Sequence, residues 1–267
     1  MSAKGVSLHI GLNLVDPVHY QGWDGALAAC EFDANDMQAI ATKQGFQTTK
    51  LLTPQATATN VIAAIATAAK ALKSGDLFLI TYSGHGGQVS DTNHDEKDRK
   101  DETWVLFDRQ LVDDELYQLW GKFKAGVRIL TLSDSCHSGS VTRELPAALG
   151  GPRQRLLPPD VALRTYKANK QSYDTIQKAA GPAELAKLRA SVLLISGCQD
   201  NQTSADGDRN GLFTETLRKV WANGKYAGGH KLFREKLARR MPPYQSPNYY
   251  VIGAANPTFE TQNPFTI

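Results

Sequence analysis

The sequence predicts an α/β protein: a mostly parallel sheet with helices on both faces. Three observations carry that expectation. Short apolar runs alternate with longer segments of helical pattern. The runs are apolar almost throughout, as strands covered on both faces must be. Glycines suited to ending a helix, Gly45 and Gly75, close the first two helical segments.

Taken in order, "VSLHIGLNLV" (Val6 to Val15) is the first strand. The helical segments "GALAACEFDANDMQAIATKQGF" and "TATNVIAAIATAAKALKSGD" follow it. "LFLITYS" (Leu77 to Ser83), "VRILTLSD" (Val127 to Asp134) and "SVLLISG" (Ser191 to Gly197) read as further strands. "GLFTETLRKVWANG" and "HKLFREKLARR" supply two more helices, and "NYYVIGA" a last strand. Functional groups in such sheets gather at the carboxyl ends of the strands. Both "YSGHGG" and "SDSCHSG" fall there. Two regions break the alternation. Asp91 to Glu102 is a charged loop. Gly150 to Arg189 is long and basic, with eight Lys or Arg against three Asp or Glu between Gly151 and Ala190, and reads as a linker.

The 267 residues, 41% of them apolar, suffice for one domain spanning 1–267. The net charge of +3 is spread along the chain, and the Arg234 to Arg240 cluster reads as a solvated helix face, which argues against nucleic acid as a partner. Three scattered cysteines, Cys30, Cys136 and Cys198, form neither a disulfide framework nor a CxxC zinc motif, so a reducing compartment is expected. No run approaches the roughly 18 apolar residues of a membrane span. The start of the chain lacks a cleavable leader pattern. The expectation is a cytoplasmic protein with no membrane partner.

"SDSCHSG" admits a metal, a phosphatase or a thiol-protease reading. Adjacent Cys136 and His137 cannot both face one ion from an extended strand, and no second ligand pair is suitably spaced. Six residues separate Cys136 from Arg143, one more than the loop of a tyrosine phosphatase, which would swing the guanidinium off a phosphate. A thiol protease needs a base distant in sequence and near in space. His85, set among Gly84, Gly86 and Gly87 at a strand end, fits that demand.

"YSGHGG" with "DSCHSGS", the histidine roughly 50 residues upstream of the cysteine, resembles the metacaspase and orthocaspase branch of the caspase-like cysteine peptidases. "LAACEFDANDM", "VDDEL", "ISGCQDNQTSAD", "NGLFTETL" and "QSPNY" follow in the family's order over nearly the whole chain. The resemblance implies a caspase-like fold with a mostly parallel central sheet of about six strands. It implies Cys136 as nucleophile and His85 as base and then acid, with the backbone N–H groups of Gly86 and Cys136 holding the oxyanion. The positions matching the family's acidic pocket are Cys30, Asp33, Ser83 and Asp134, and carboxylates there favour protein or peptide substrates cut after Arg or Lys. Caspases that cut after Asp use arginines, and none stands at these positions.

Calcium is an expected activator by the same resemblance; the chemistry itself requires no cofactor. Asp113 and Asp114 match two of the family's calcium aspartates, and Asp98 or Asp101 a third. Arg143 stands where a further aspartate belongs, with Glu144 beside it. Asp91 to Glu102 and Asp206 to Leu217 each match an EF-hand loop in part, the first lacking its glycine and the second its final Glu. The basic 150–189 segment occupies the family's linker, so self-cleavage is expected there. A monomer is expected, with a dimer as the alternative. The rival function is a silent caspase-fold scaffold that binds basic peptides, then a Cys-dependent phosphatase.

Overall fold

The computed structural model describes residues 2–92, 99–136, 153–182, 187–199, 202 and 204–267. Their strands are β1 (Gly5–Gly11), β2 (Gln47–Leu52), β3 (Leu77–Ser83), β4 (Gly86–Ser90), β5 (Lys100–Val105), β6 (Gln110–Val112), β7 (Arg128–Asp134), β8 (Ser191–Ser196) and β9 (Asn248–Gly253). Six form the central sheet in the order β2-β1-β3-β7-β8-β9, all parallel except β9, which runs antiparallel to β8. The helices are α1 (Cys30–Lys43), α2 (Ala58–Ala71), α3 (Asp113–Trp120), α4 (Pro159–Ala168), α5 (Lys170–Ala180), α6 (Leu212–Trp221), α7 (His230–Ala238) and α8 (Pro257–Thr261).

The apolar runs follow from burial on both faces. In β3, Phe78, Ile80 and Tyr82 point into one core with Val61 and Ile65 of α2 and Trp120 of α3. Leu77 and Leu79 point into the other, with Met37 of α1, Phe213 and Leu217 of α6 and Phe233 of α7. A strand that alternates sides every residue and is buried on both must be apolar at every position. β1 stops at Gly11, short of the expected Val15. A Cβ there would meet the Cys30 carbonyl oxygen at 2.4 Å and the Ala34 Cβ at 2.9 Å, so α1 crosses the strand end where only glycine fits. Val15 packs instead in a smaller cluster with Tyr20, Val105, Leu157 and Val161.

Three parts differ from expectation. β2 was not read as a strand, because it is an edge strand with no fully buried residue and its Gln, Thr and Lys positions give no apolar run. A second, antiparallel sheet of order β4-β5-β6 follows β3, and β5 begins inside the expected charged loop. Glycines open β4 and charged residues open β5, which hides both from a hydropathy reading, yet Asp101, Thr103, Trp104 and Val105 are buried. The basic linker contains α4 and α5. Their buried positions are Val161, Thr165, Tyr166, Tyr173 and Gln177. That spacing is helical, but the anchors are mostly polar or phenolic, so no aliphatic period marks them. Among the described residues no helix is long and apolar enough to cross a membrane, and Cys30, Cys136 and Cys198 are free thiols.

Candidate active site

β3 and β7 lie side by side in parallel register, pairing Ser83 with Asp134. His85 and Cys136 each stand two residues past that pair, so the sheet brings them to one carboxyl edge. Gly84 is forced: a Cβ there would lie 2.6 Å from the Tyr82 hydroxyl, which donates to the His85 carbonyl at 2.6 Å and shapes the turn. Tyr82 stacks on Trp104 at 4.7 Å, and the Trp104 Nε1–H donates to Ser133 Oγ at 3.0 Å, bracing both strand ends.

The His85 ring lies 4.7 Å from the Trp23 ring, with Nε2 2.9 Å from the Gly25 carbonyl oxygen. A carbonyl only accepts, so Nε2 carries the proton and Nδ1 the lone pair, an assignment made from the network. Nδ1 is buried with no hydrogen-bond partner. Burial lowers the imidazole to about 4, outweighing the Gly25 carbonyl, so at neutral pH the ring is a free base. Cys136 is fully buried, and the Ser204 backbone N–H donates to its Sγ.

The N–H groups of Gly86 and Cys136 converge on one oxygen, the Arg155 carbonyl, at 3.0 and 3.1 Å. The Arg155 side chain fills the acidic pocket and is wholly buried. Its Nη2 lies 2.7 Å from Asp33 and 3.0 Å from Asp206; its Nη1 lies 2.8 Å from Asp134 and donates to Ser83 Oγ at 2.9 Å. Burial alone would lower the guanidinium, but Asp134, Cys30, Asp33 and Asp206 hold it above its ordinary value. Burial pushes Asp33 up to about 6 against the pull of Arg155, and Cys30 up to about 12, so Cys30 is a neutral wall of the pocket. Cys198 is packed alongside, its Sγ donating to the Ser135 carbonyl at 3.3 Å.

The flanking backbone is also held. Arg155 N–H donates to Ser204 O at 3.0 Å and Asp206 N–H to Arg153 O at 2.8 Å, an antiparallel pairing; downstream, Leu157 N–H donates to Gly86 O at 2.8 Å. Residues 153–157 therefore cross the sheet edge as an extended peptide with Arg155 over the thiol.

Every described pocket and oxyanion residue read from the sequence reaches this site. Asp206, Gly25 and Trp23 were not anticipated, and no arginine was expected in the pocket. The arginine found there is its occupant, delivered by the basic segment, and no part of its wall. Asp206 had appeared as the last residue of "ISGCQDNQTSAD" and as the start of a failed EF-hand, with no pocket role in either; no spacing rule links it to Asp33.

Of the calcium candidates, Asp101 and Asp114 are buried, and Asp113 is raised well above the usual carboxylate range by burial and then by Asp101, Glu102 and Asp114. That crowding has suitable chemistry for a hard cation. Even so, no group of three or more His, Cys, Asp or Glu among the described residues is arranged to hold an ion. Asp98, His137, Arg143 and Glu144 lie outside the described residues.

The caspase domain profile matches residues 13–262. The chain belongs to the caspase domain family. Caspase domain relatives include metacaspase-1 of Mycosarcoma maydis, 30% identical over 251 residues that cover 80% of this chain and 60% of that protein. Metacaspase-2 of Trypanosoma brucei brucei is 28% identical over 229 residues, covering 78% of this chain and 57% of that one. The chain thus spans about three fifths of the length of these curated relatives. Protein GSU0716 from Geobacter sulfurreducens has the same fold, with a TM-score of 0.91 and 56% identity, covering 98% of each chain. Caspase-1 from Spodoptera frugiperda matches with a TM-score of 0.59 at 10% identity, covering 94% of this chain and 87% of that one, a likeness of fold alone.

Proposed function

We propose that this caspase domain is a cysteine endopeptidase with a Cys136–His85 dyad that cuts after Arg or Lys, and that its first substrate is its own Arg155–Leu156 bond. The supporting observation is the placement of Arg155, with its guanidinium among three carboxylates and its carbonyl between two backbone donors beside a thiol. A protease's P1 residue must adopt this arrangement, and the guanidinium fork matches it better than a Lys ammonium does.

In this reading, His85 Nδ1 takes the Cys136 proton and the thiolate adds to the Arg155 carbonyl carbon. Gly86 and Cys136 N–H groups hold the oxyanion. His85 then gives the proton to the departing Leu156 nitrogen, and water cleaves the thioester. Until Arg155 leaves, the pocket is closed to other substrates, so the uncut chain is self-inhibited. Calcium enters as a proposed activator with no part in these steps. Three buried free thiols fit a reducing compartment such as the cytoplasm.

The test combines hydrolysis of fluorogenic peptides ending in Arg, Lys or Asp, with and without millimolar calcium, with intact mass over time. Wild type is expected to release the fluorophore after Arg faster than after Lys and to yield fragments ending at Arg155 and starting at Leu156. Cys136→Ala is expected to lose about 1,000-fold or more in rate and to stay whole. Release after Asp would overturn the pocket assignment. A wild-type chain that stays whole would remove the self-cleavage, and the absence of any release would favour a peptide-binding scaffold.

A further inference from the structure

In ordinary proteolysis the leaving amine diffuses away before water arrives. Here the chain downstream of Arg155 is built into the fold. Leu156 forms a parallel bridge with Gly86, and Leu157 N–H donates to Gly86 O at 2.8 Å. The Leu157 side chain is 2% exposed, packed with Val15, Tyr20, Val105 and Val161. Pro159 starts α4 at once, and α5 is pinned by polar anchors. The Tyr173 hydroxyl accepts from Gln110 N–H at 3.1 Å and lies 2.9 Å from His19 Nε2. Gln177 accepts from Thr92 N–H at 2.9 Å and donates to Ser90 O at 3.0 Å. A cut after Arg155 takes its carbonyl away from the Gly86 bridge. The Leu157 N–H bond to Gly86 O and the Leu157, Tyr173 and Gln177 contacts do not involve the Arg155–Leu156 bond, so the new Leu156 amine stays tethered at the site.

We propose that the cut chain is an acyl transferase as well as a hydrolase, with the Leu156 α-amine as acceptor for basic acyl groups carried on Cys136. The inference rests on the proposed cut after Arg155. Cys136 Sγ displaces a leaving group X from the donor's Arg carbonyl carbon, and X departs with a proton from His85. The Leu156 nitrogen then bonds to that carbon, the C–S bond breaks, and the nitrogen's proton passes to His85 and back to the thiolate. The net change is R–CO–X plus the free Leu156 amine giving an R–CO amide on the Leu156 nitrogen plus HX, with nothing oxidised or reduced.

Two features favour the amine over water. A tethered nucleophile acts at an effective concentration that free amines do not reach. With Arg155 in the pocket the thiol is fully buried and His85 is 5% exposed, so a basic acyl group seated in the same way leaves water less room to reach the thioester than the tethered amine has. An α-amine titrates near pH 8, so a large share is the free base at mildly alkaline pH, and His85 is neutral there. The first donor is Arg155 itself, which makes the self-cut reversible. The next is any Arg or Lys peptide that displaces the Arg155 carboxylate.

The experiment incubates the full chain, after self-cutting, with excess acetylated dipeptide anilide ending in Arg at pH 8. Aniline release and the mass of the fragment beginning at Leu156 are followed together. The expected result is aniline release with a gain on that fragment equal to the acetyl-dipeptide acid less one water, located by fragmentation on the Leu156 nitrogen and absent in Cys136→Ala. Aniline release without that gain, or with the gain on a lysine, overturns the transfer and leaves the peptidase reading standing. A chain that never cuts itself overturns the self-cleavage and the transfer together, and no aniline release from the cut chain overturns the transfer and leaves the self-cut standing.

Discussion

At the residue scale, the pocket is a problem of matching acceptors to one guanidinium. Asp33, Asp134 and Asp206 all reach it, and Asp206 also ties down the loop beneath His85, accepting from the N–H groups of Ala28 at 2.8 Å and Ala29 at 3.3 Å. Hydrogen bonds between charged partners contribute about 1.5–3 kcal/mol. Asp206→Asn keeps an acceptor for the loop and removes the charge. It is expected to lower kcat/KM on Arg peptides by about 10- to 100-fold while affecting Lys peptides less, because a point charge uses fewer acceptors. Equal losses on both peptides would deny Asp206 a role in selectivity. His85, Cys136, Asp33 and Asp134 were legible because each sits in a motif at a strand or helix end. Arg155 was not, and Asp206 closes the "ISGCQDNQTSAD" motif without any sign of a pocket role, because what defines these two is one another.

At the scale of elements, β3 was read to the residue because burial on both faces leaves an unbroken apolar signature. α4 and α5 were hidden because they dock through hydroxyls, an amide and rings. That docking is testable at Tyr173, the buried acceptor for Gln110 N–H. Tyr173→Phe leaves the N–H buried and unpaired and is expected to lower the unfolding free energy by about 1–3 kcal/mol, read from urea midpoints at constant slope. An unchanged midpoint would mean that α5 is not seated through this bond. On the proposed self-cleavage, the same seating would keep the chain beyond Leu156 attached after a cut, so an element that looks like a linker would supply part of the site.

At the scale of the molecule, buried titratable groups set the response to acid. His9, held between Thr81 Oγ1 and Ser7 Oγ at 2.9 Å each, is lowered to about 3 by burial, then by Lys50. His85 and His230 are each lowered to about 4, in both cases chiefly by burial. Between pH 6.5 and 4 the unfolded chain binds three protons that the folded chain refuses, so stability falls as pH falls. Asp33, raised to about 6 chiefly by burial, and Asp113, raised well above the usual carboxylate range by burial, favour the protonated form in the folded state and oppose this. The three histidines outnumber the two carboxylates, so the net stability falls as pH falls from 6 toward 4. Urea midpoints at pH 7, 6 and 5 check this, and stability that holds or rises toward pH 5 contradicts it.

The sequence by itself determined five of the six strands of the central sheet, missing the half-exposed β2, together with the carboxyl edge where chemistry gathers and the thiol and imidazole at that edge. These are local properties, written in periodicity and in short motifs. Tertiary structure alone decided which carboxylates meet and what they hold. Asp33 lies 122 residues from Arg155 and Asp206 lies 51, and the pairing of Ser83 with Asp134 follows from β3 and β7 choosing each other as neighbours. Buried charge pairs carry no period, and each partner alone resembles a solvent-exposed residue. Burial and mutual neutralisation make Arg155 the occupant of the pocket, and both exist only once the chain has folded.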